Sequence, residues 1–320
     1  MHYTPTAYIE FPATDSRGAL AIRRINSCRI EQGWDMLTDS ASLTFPRNVK
    51  EFNEEGGVKG LFKRGDKVII SLGVDGNNEQ EFVGYLTSIG EDIPVRFECE
   101  DSMWLLKQHP VNMTYTGQLS GLLKEILPSG IDYEAANIKL EKLRFRKTTA
   151  AKVLEWLKDN YGIYSYFVGE KLISGKIYLD NTEKVKLDFS INVKLNSDLQ
   201  YVRSDELKLK VTVKSIRPDS SNISVTVGDS EGEESIFEYW GNHTESELRE
   251  IANLNLERLK VDGYTGTLRT WGIPIIRHGY VLEMNHPLYP ERNGNHYADR
   301  VVKVWQPSFY EHQTKVGKAA

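Results

Sequence analysis

The 320 residues, 40% hydrophobic and 10% aromatic, are enough for a sizeable core, and their number suggests two or three domains. The balance of 40 basic against 45 acidic residues, −5 net with a pI near 5.9, argues against generic binding to phosphate backbones. Cys28 and Cys99 offer neither a metal spacing nor a disulfide framework, no apolar run approaches the ~18 residues of a membrane span, and Met1-His2-Tyr3-Thr4-Pro5 lacks a signal-peptide build, so an intracellularly made, soluble globular protein is expected.

The first hundred residues read as strand and turn. Ala41, Leu43 and Phe45 alternate with Ser42 and Thr44 until Pro46. Lys67 to Leu72 is apolar and β-branched, Asp75-Gly76 supplies a turn, and Glu81 to Leu86 is the returning strand. Val95 to Glu100 alternates as a half-buried strand should. Such spacing favours a small barrel or sandwich.

Helical spacing takes over in the middle. Leu119, Leu122, Leu123, Ile126 and Leu127 form one helix face, ended by Pro128. A second helix runs from about Thr149, with Ala150, Val153, Leu154 and Leu157 on one face and Gly162 as its C-cap. Ile163 to Phe167 and Lys171 to Leu179 form a hairpin closed by a II′ turn at Gly169-Glu170. Around Asn192 to Arg203 the chain returns to strands.

Leu207, Leu209, Val211 and Val213 then alternate with lysines and a threonine, a strand with one wet face. Ile223 to Val227 and Ile236 to Trp240 follow. One helix interrupts, opened by a capping box at Thr244 and Glu247. Strands resume at Gly266 to Trp271, Tyr280 to Met284 and Arg300 to Trp305, and Tyr310 to Ala320 reads as a loose polar tail. The expected fold class is mainly β with an α+β insertion. Two similar small β-barrels, over residues 1–105 and 201–310, flank a helix-plus-hairpin module over 106–200, and 311–320 is the tail.

An internal echo links the two β-rich parts. Phe82-x-Gly84-x-Leu86-x-x-Ile89 resembles Tyr297-x-Asp299-x-Val301-x-x-Val304, and each follows an apolar strand opened by a glycine, Gly65 or Gly279. Period-two patterning can produce this by chance; the other reading is a pair of related barrels.

Signatures of common enzymes are missing: no nucleophile elbow, Walker loop, dinucleotide fingerprint or zinc helix occurs. Cys99 occupies an inward strand position, where a small buried hydrophobe is usual. His278, His286 and His296 fall within nineteen positions. They could converge on zinc, but the stretch Asn285 to Asn295 reads as a polar hairpin loop that favours solvated histidines. The carboxylate groups Glu54-Glu55, Glu91-Asp92, Glu98 with Glu100 and Asp101, and Glu231 with Glu233-Glu234 could include a glycosidase pair; most fall in turns or at strand ends, where a solvated acidic surface is the simpler explanation. Arg64-Gly65-Asp66 reads as turn chemistry at a strand entry. The sequons at Asn112, Asn222 and Asn242 matter only in a secretory pathway. Trp34, Trp104, Trp156, Trp240, Trp271 and Trp305 are spread as core anchors rather than clustered as a sugar platform.

The run Gln32 to Phe45, the pair Phe62-Lys63-Arg64-Gly65-Asp66-Lys67-Val68 and Phe82-Val83-Gly84-Tyr85-Leu86, the exit Glu98 to Leu106, and the helix and hairpin at Thr149 to Leu157 and Tyr164 to Gly169 together resemble the tail hub proteins of bacteriophages. These are the baseplate hub and late-control D group, related to the base of VgrG spike proteins. The resemblance spans roughly residues 25 to 305. It implies a structural protein, made in the bacterial host cytoplasm and located in the virion tail at the baseplate or tip. The implied homotrimer has two barrels per chain in a pseudo-sixfold ring, and its partners are the tail tube protein, the tip or spike protein and the tape-measure protein. DNA would pass without sequence-specific contacts, which an acidic balance suits. With the sequence ending at 320, no fused lysozyme, peptidase or needle is expected. The resemblance carries over no catalytic, metal or cofactor-binding residue. Two rivals remain: a receptor- or carbohydrate-binding tip module, and a wall hydrolase using a carboxylate pair.

Overall fold

The computed structural model describes residues 3–53, 57–90, 92–179, 182–216, 222–240, 243–260 and 262–320. The acids Glu54, Glu55 and Glu91 and the sequon residue Asn242 lie outside them. The mainly β architecture with its α+β insertion is as expected, and the described residues are organised around four hydrophobic cores.

A thirteen-stranded sheet contains the same five-strand unit twice. In the first unit the strands Ser27–Gly33, Ser40–Phe45, Val95–Glu100, Asn77–Gly90 and Lys67–Val74 lie side by side in that order. In the second unit the same order is taken by Asp198–Val202, Gly263–Trp271, Phe309–Ala319, Gly294–Gln306 and Val281–Asn285. Chain order matches as well: first strand, second strand, then a three-strand meander. The ladder path does not return on itself among the described residues, so the two units are open sheets rather than hydrogen-bonded barrels.

The duplication extends to single bonds. Gly65 N–H donates to Leu86 O and Leu86 N–H to Asp66 O; Gly279 N–H donates to Ala298 O and Ala298 N–H to Tyr280 O. Both glycines have positive φ, 95° and 83°, which only a residue without Cβ adopts at little cost. One step on, each long strand carries a bulge, between Leu86 and Ser88 and between Ala298 and Arg300. Leu86 therefore corresponds to Ala298, and Tyr85 to Tyr297. This equivalence lies three residues from the one the sequence motif suggested, because the motif aligned apolar alternation and could not register the bulge.

The middle module packs around its own core. Helix Ala150–Tyr161 begins where Thr149 Oγ1 accepts from Lys152 N–H and ends at Gly162 in the left-handed conformation, as its sequence predicts. Helix Leu119–Ile126 buries four of the five residues of its predicted face, and the fifth, Leu127, is its C-cap. The hairpin Ser165–Val168 and Lys171–Ser174 closes through Gly169-Glu170. The structure adds a helix at Met103–Gln108 and an antiparallel ribbon, Pro110–Gln118 against Lys139–Thr149. Two register shifts in this ribbon, beside Lys142 and Lys147 at positive φ, break the period-two signal and hid it from the sequence.

Two further expectations need correction. The strands Leu209–Ile216, Ile223–Gly228 and Glu233–Trp240 do not join the second unit's sheet. They form a separate three-stranded sheet covered by helix Glu245–Leu259, whose capping box is present, and in chain order this layer is inserted between the unit's first and second strands, which pair directly with each other. Residues 311–320 are not a loose tail: Phe309–Ala319 is a strand with a neighbour on each side. It looks polar because Glu311, His312 and Thr314 are buried, and Glu311 is held by Lys194 at 2.6 Å. Among the described residues no helix is long and apolar enough to cross a membrane.

Candidate functional site

The two units meet along one ladder, Arg300–Trp305 against Cys28–Gly33, antiparallel, with Arg300 opposite Gly33 and Trp305 opposite Cys28. Arg300 Nη2 lies 3.0 Å from Glu31 Oε2 across it. The inward residues of this segment run from one core to the other. Val301 belongs to the second unit's core, and Trp305, 3% exposed, is inserted into the first unit's core beside Tyr310.

Lys303 falls at the crossover, fully buried between the two cores, and forms a buried ion pair with Glu81. Arg277 Nε approaches Glu81 at 3.7 Å, and Tyr310 OH donates to Glu81 Oε1 at 3.4 Å. Burial lowers the Lys303 pKa, an effect that attraction to Glu81 opposes. His312 is buried nearby; burial, then Lys303 and Arg277, depress its pKa and keep the imidazole neutral.

A second buried acid pair ties this joint to the middle module. Asp39 N–H donates to Asp101 Oδ2 at 3.1 Å, and Gly33 N–H to Asp39 Oδ1 at 3.2 Å. Met103 N–H, at the start of its helix, donates to Asp101 Oδ1 at 2.9 Å. Both carboxyls, with Glu81, Arg277, His278 and Phe167, line a cavity of about 480 Å³ where the two units and the hairpin converge. Burial pushes both acids up, Asp39 further through the neighbouring Asp101, and Asp101 reaches about 7. Between about 4 and about 7 the folded chain holds a proton that the unfolded chain has released, so the Asp101 contribution to stability is full below about 4 and lost as pH rises through about 7. A carboxyl carbon-13 titration of the Asp39–Asp101 pair is expected to show midpoints well above the ordinary 3.8; both carboxyls titrating near 3.8 would refute the buried-acid account.

The three candidate histidines do not converge. His278 packs edge-on against Tyr166, His286 lies between Phe189 and Tyr289, and His296 meets the Tyr264 amide. Among the described residues no group of three or more His, Cys, Asp or Glu could hold a metal ion. The acids are mostly tied locally: Glu98 accepts from Ser42, Glu100 from Lys107, and Glu234 from Thr212. Arg64-Gly65-Asp66 forms the glycine entry to the first unit's hairpin. Cys28 and Cys99 are buried free thiols. The core-anchor reading of the tryptophans holds for Trp305 and fails for Trp156 and Trp271, which are exposed. Glu81, Lys303 and Asp39 escaped the sequence reading as site residues, and Asp101 was read there only as one of a group of acids with Glu98 and Glu100. The legible signal was Lys303 itself, a lysine on the inward phase of the apolar strand Val301 to Trp305.

No family model and no curated protein matches the sequence. Solved structures do. A tail protein from Neisseria meningitidis MC58 has a TM-score of 0.64 at 12% identity, covering 98% of this chain and 96% of that one. The 43 kDa tail protein of prophage MuSo2 from Shewanella oneidensis has a TM-score of 0.60 at 14% identity, covering 98% of each. The E. coli c3393 protein, a type VI secretion component with structural similarity to T4 bacteriophage tail proteins gp27 and gp5, has a TM-score of 0.54 at 11% identity over 98% of this chain and 77% of its own. Over nearly its whole length, this chain has the fold of phage tail proteins and of their type VI secretion counterpart.

Proposed function

We propose that the chain is the structural hub of a phage or phage-like tail, a homotrimer whose six β units form a pseudo-sixfold ring between the tail tube and the tip or spike. The observation that carries this reading is the internal duplication. Two units alike in strand order, entry glycine and bulge let three chains present six similar faces to a sixfold tube while offering threefold symmetry to a tip. The tail-protein fold supports it. Tube, spike and tape-measure proteins are the partners on this reading, the virion tail is the location, and the role is structural rather than catalytic. The net charge of −5 suits a lumen that lets DNA pass without trapping phosphate.

Negative-stain electron microscopy of the concentrated chain, alone and with tail tube protein, tests the proposal. Threefold rings with an open centre, about 110 kDa for three copies of 36.5 kDa, are the expected result. Rings of another order, or particles that stay single even with the tube protein, would overturn it.

A further inference from the structure

We propose that copies of this chain join edge to edge, strand Asp198–Val202 of one copy pairing antiparallel with Ser88–Gly90 of the next. The register places Val202 opposite Ser88, Tyr201 opposite Ile89 and Gln200 opposite Gly90. The inference rests on the ring reading above and names the surface that closes the ring.

The internal joint is the template. In the first unit, the outer edge of Ser27–Gly33 is covered by Arg300–Trp305 of the second unit. The shared bonds and bulges place Ser88 where Arg300 stands, and Ile89 and Gly90 where Val301 and Val302 stand. The register within each unit extends the match. Ala41 and Gly266 lie opposite Cys99 and Val316, which face Leu86 and Ala298, so Ile30 corresponds to Leu199 and Gln32 to Tyr201. Among the described residues, Asp198–Val202 has a ladder only with Gly263–Trp271, and Ser88–Gly90 only with Val95–Glu100. Each unit thus carries one half of the joint that the other uses within the chain.

Two further observations point the same way. The Tyr264 N–H turns from Tyr201 to His296 Nε2 at 3.4 Å. In an antiparallel ladder this marks a non-bonded pair, so the Tyr201 N–H and C=O face the open edge, as the backbone of an added strand requires. The second concerns apolar surface. Five residues beyond Arg300, Trp305 is buried in the adjoining core; five beyond Ser88, Ile93 is 79% exposed. Ser197 corresponds to Cys28, the residue opposite Trp305, and two residues before Ser197 stands Leu195, fully exposed. The proposed joint brings Ile93 and Leu195 together and removes both from water, doing between copies what Trp305 does within one. One pair opposes association, Asp92 opposite Asp198, and salt screens it.

The test is a Ser88→Cys/Val202→Cys chain, oxidised at high concentration and high salt and run on a non-reducing gel. The proposed register makes this a non-bonded pair, whose close Cα atoms suit a disulfide. Cys28 and Cys99 are buried and do not compete. The expected result is a shift from the monomer band to linked dimers and trimers with nothing larger, reversed by thiol, while Ser88→Cys/Asp198→Cys links far less. A reduced variant that melts with the wild type shows that the fold is kept. Equal linking of both variants, or a ladder running past three, would overturn the joint. Sedimentation of the wild type under the same conditions separates the two ideas. A wild-type trimer without the disulfide, alone or with tail tube protein, sinks the edge joint and leaves the ring; a wild-type chain that stays monomeric and unlinked even with the tube protein sinks both.

Discussion

Replacing Lys303 by Met is expected to destabilise the chain by about 3–5 kcal/mol, because it leaves the Glu81 carboxylate buried with its main partner gone. Arg277 at 3.7 Å and the Tyr310 hydroxyl at 3.4 Å soften the loss without replacing a fully buried ammonium. Glu81→Gln strands Lys303 in the same way and is expected to cost a similar amount. The double variant Glu81→Leu/Lys303→Met removes both charges and puts apolar volume between two existing cores, so it is expected to lie within about 1–2 kcal/mol of the wild type. Urea unfolding of the wild type and the three variants measures these differences. Single substitutions that each cost under about 1 kcal/mol would show that water reaches the pair and that it does not organise the joint.

Trp305→Ala is expected to cost about 3–5 kcal/mol, as for other buried tryptophans, and the way it is lost matters as much as its size. Trp305 is supplied by the second unit and packs in the core of the first. Its removal weakens the coupling between units more than either unit's own core. Amide exchange is therefore expected to show Gly263–Trp271 and Phe309–Ala319 opening separately from Ser40–Phe45 and Val95–Glu100 in the variant, and all four strands opening together in the wild type. Trp271→Ala is the control: that ring is 46% exposed and meets the Lys194 ammonium at 4.2 Å, so it is expected to cost less than about 1 kcal/mol. Equal effects from the two tryptophans would remove the argument that the ladder between the units is a packed joint.

The joint matters for function because it repeats a solution found once. A strand edge left open invites pairing, and soluble chains normally blunt or cover it. Here the first unit's edge is covered within the chain, and the second unit's edge is matched by a complementary one on the first. An assembly that closes on itself leaves no such edge free.

Local features were legible in the sequence because neighbours a few residues away determine them. Thr149 and Gly162 bound a helix through hydrogen bonds made within one turn. Alternation in Val95 to Glu100 marks a half-buried strand, and Asp75-Gly76, both at positive φ, turn the chain back on itself. The likeness between the two ends of the chain could also be seen, although not in its true alignment. Tertiary structure alone decided which sheet each strand entered. Leu209–Ile216 has as good a strand pattern as any, yet it pairs away from the main sheet, while the polar Phe309–Ala319 lies between two neighbours within it. It also decided the partner of Lys303, a glutamate 222 positions away, and the three-residue offset of the repeat. The physical reason is common to all of these. Strand pairing, bulges and buried charge are settled by contacts distant in sequence, whereas the period-two pattern of a strand says which face is buried and nothing about what it is buried against.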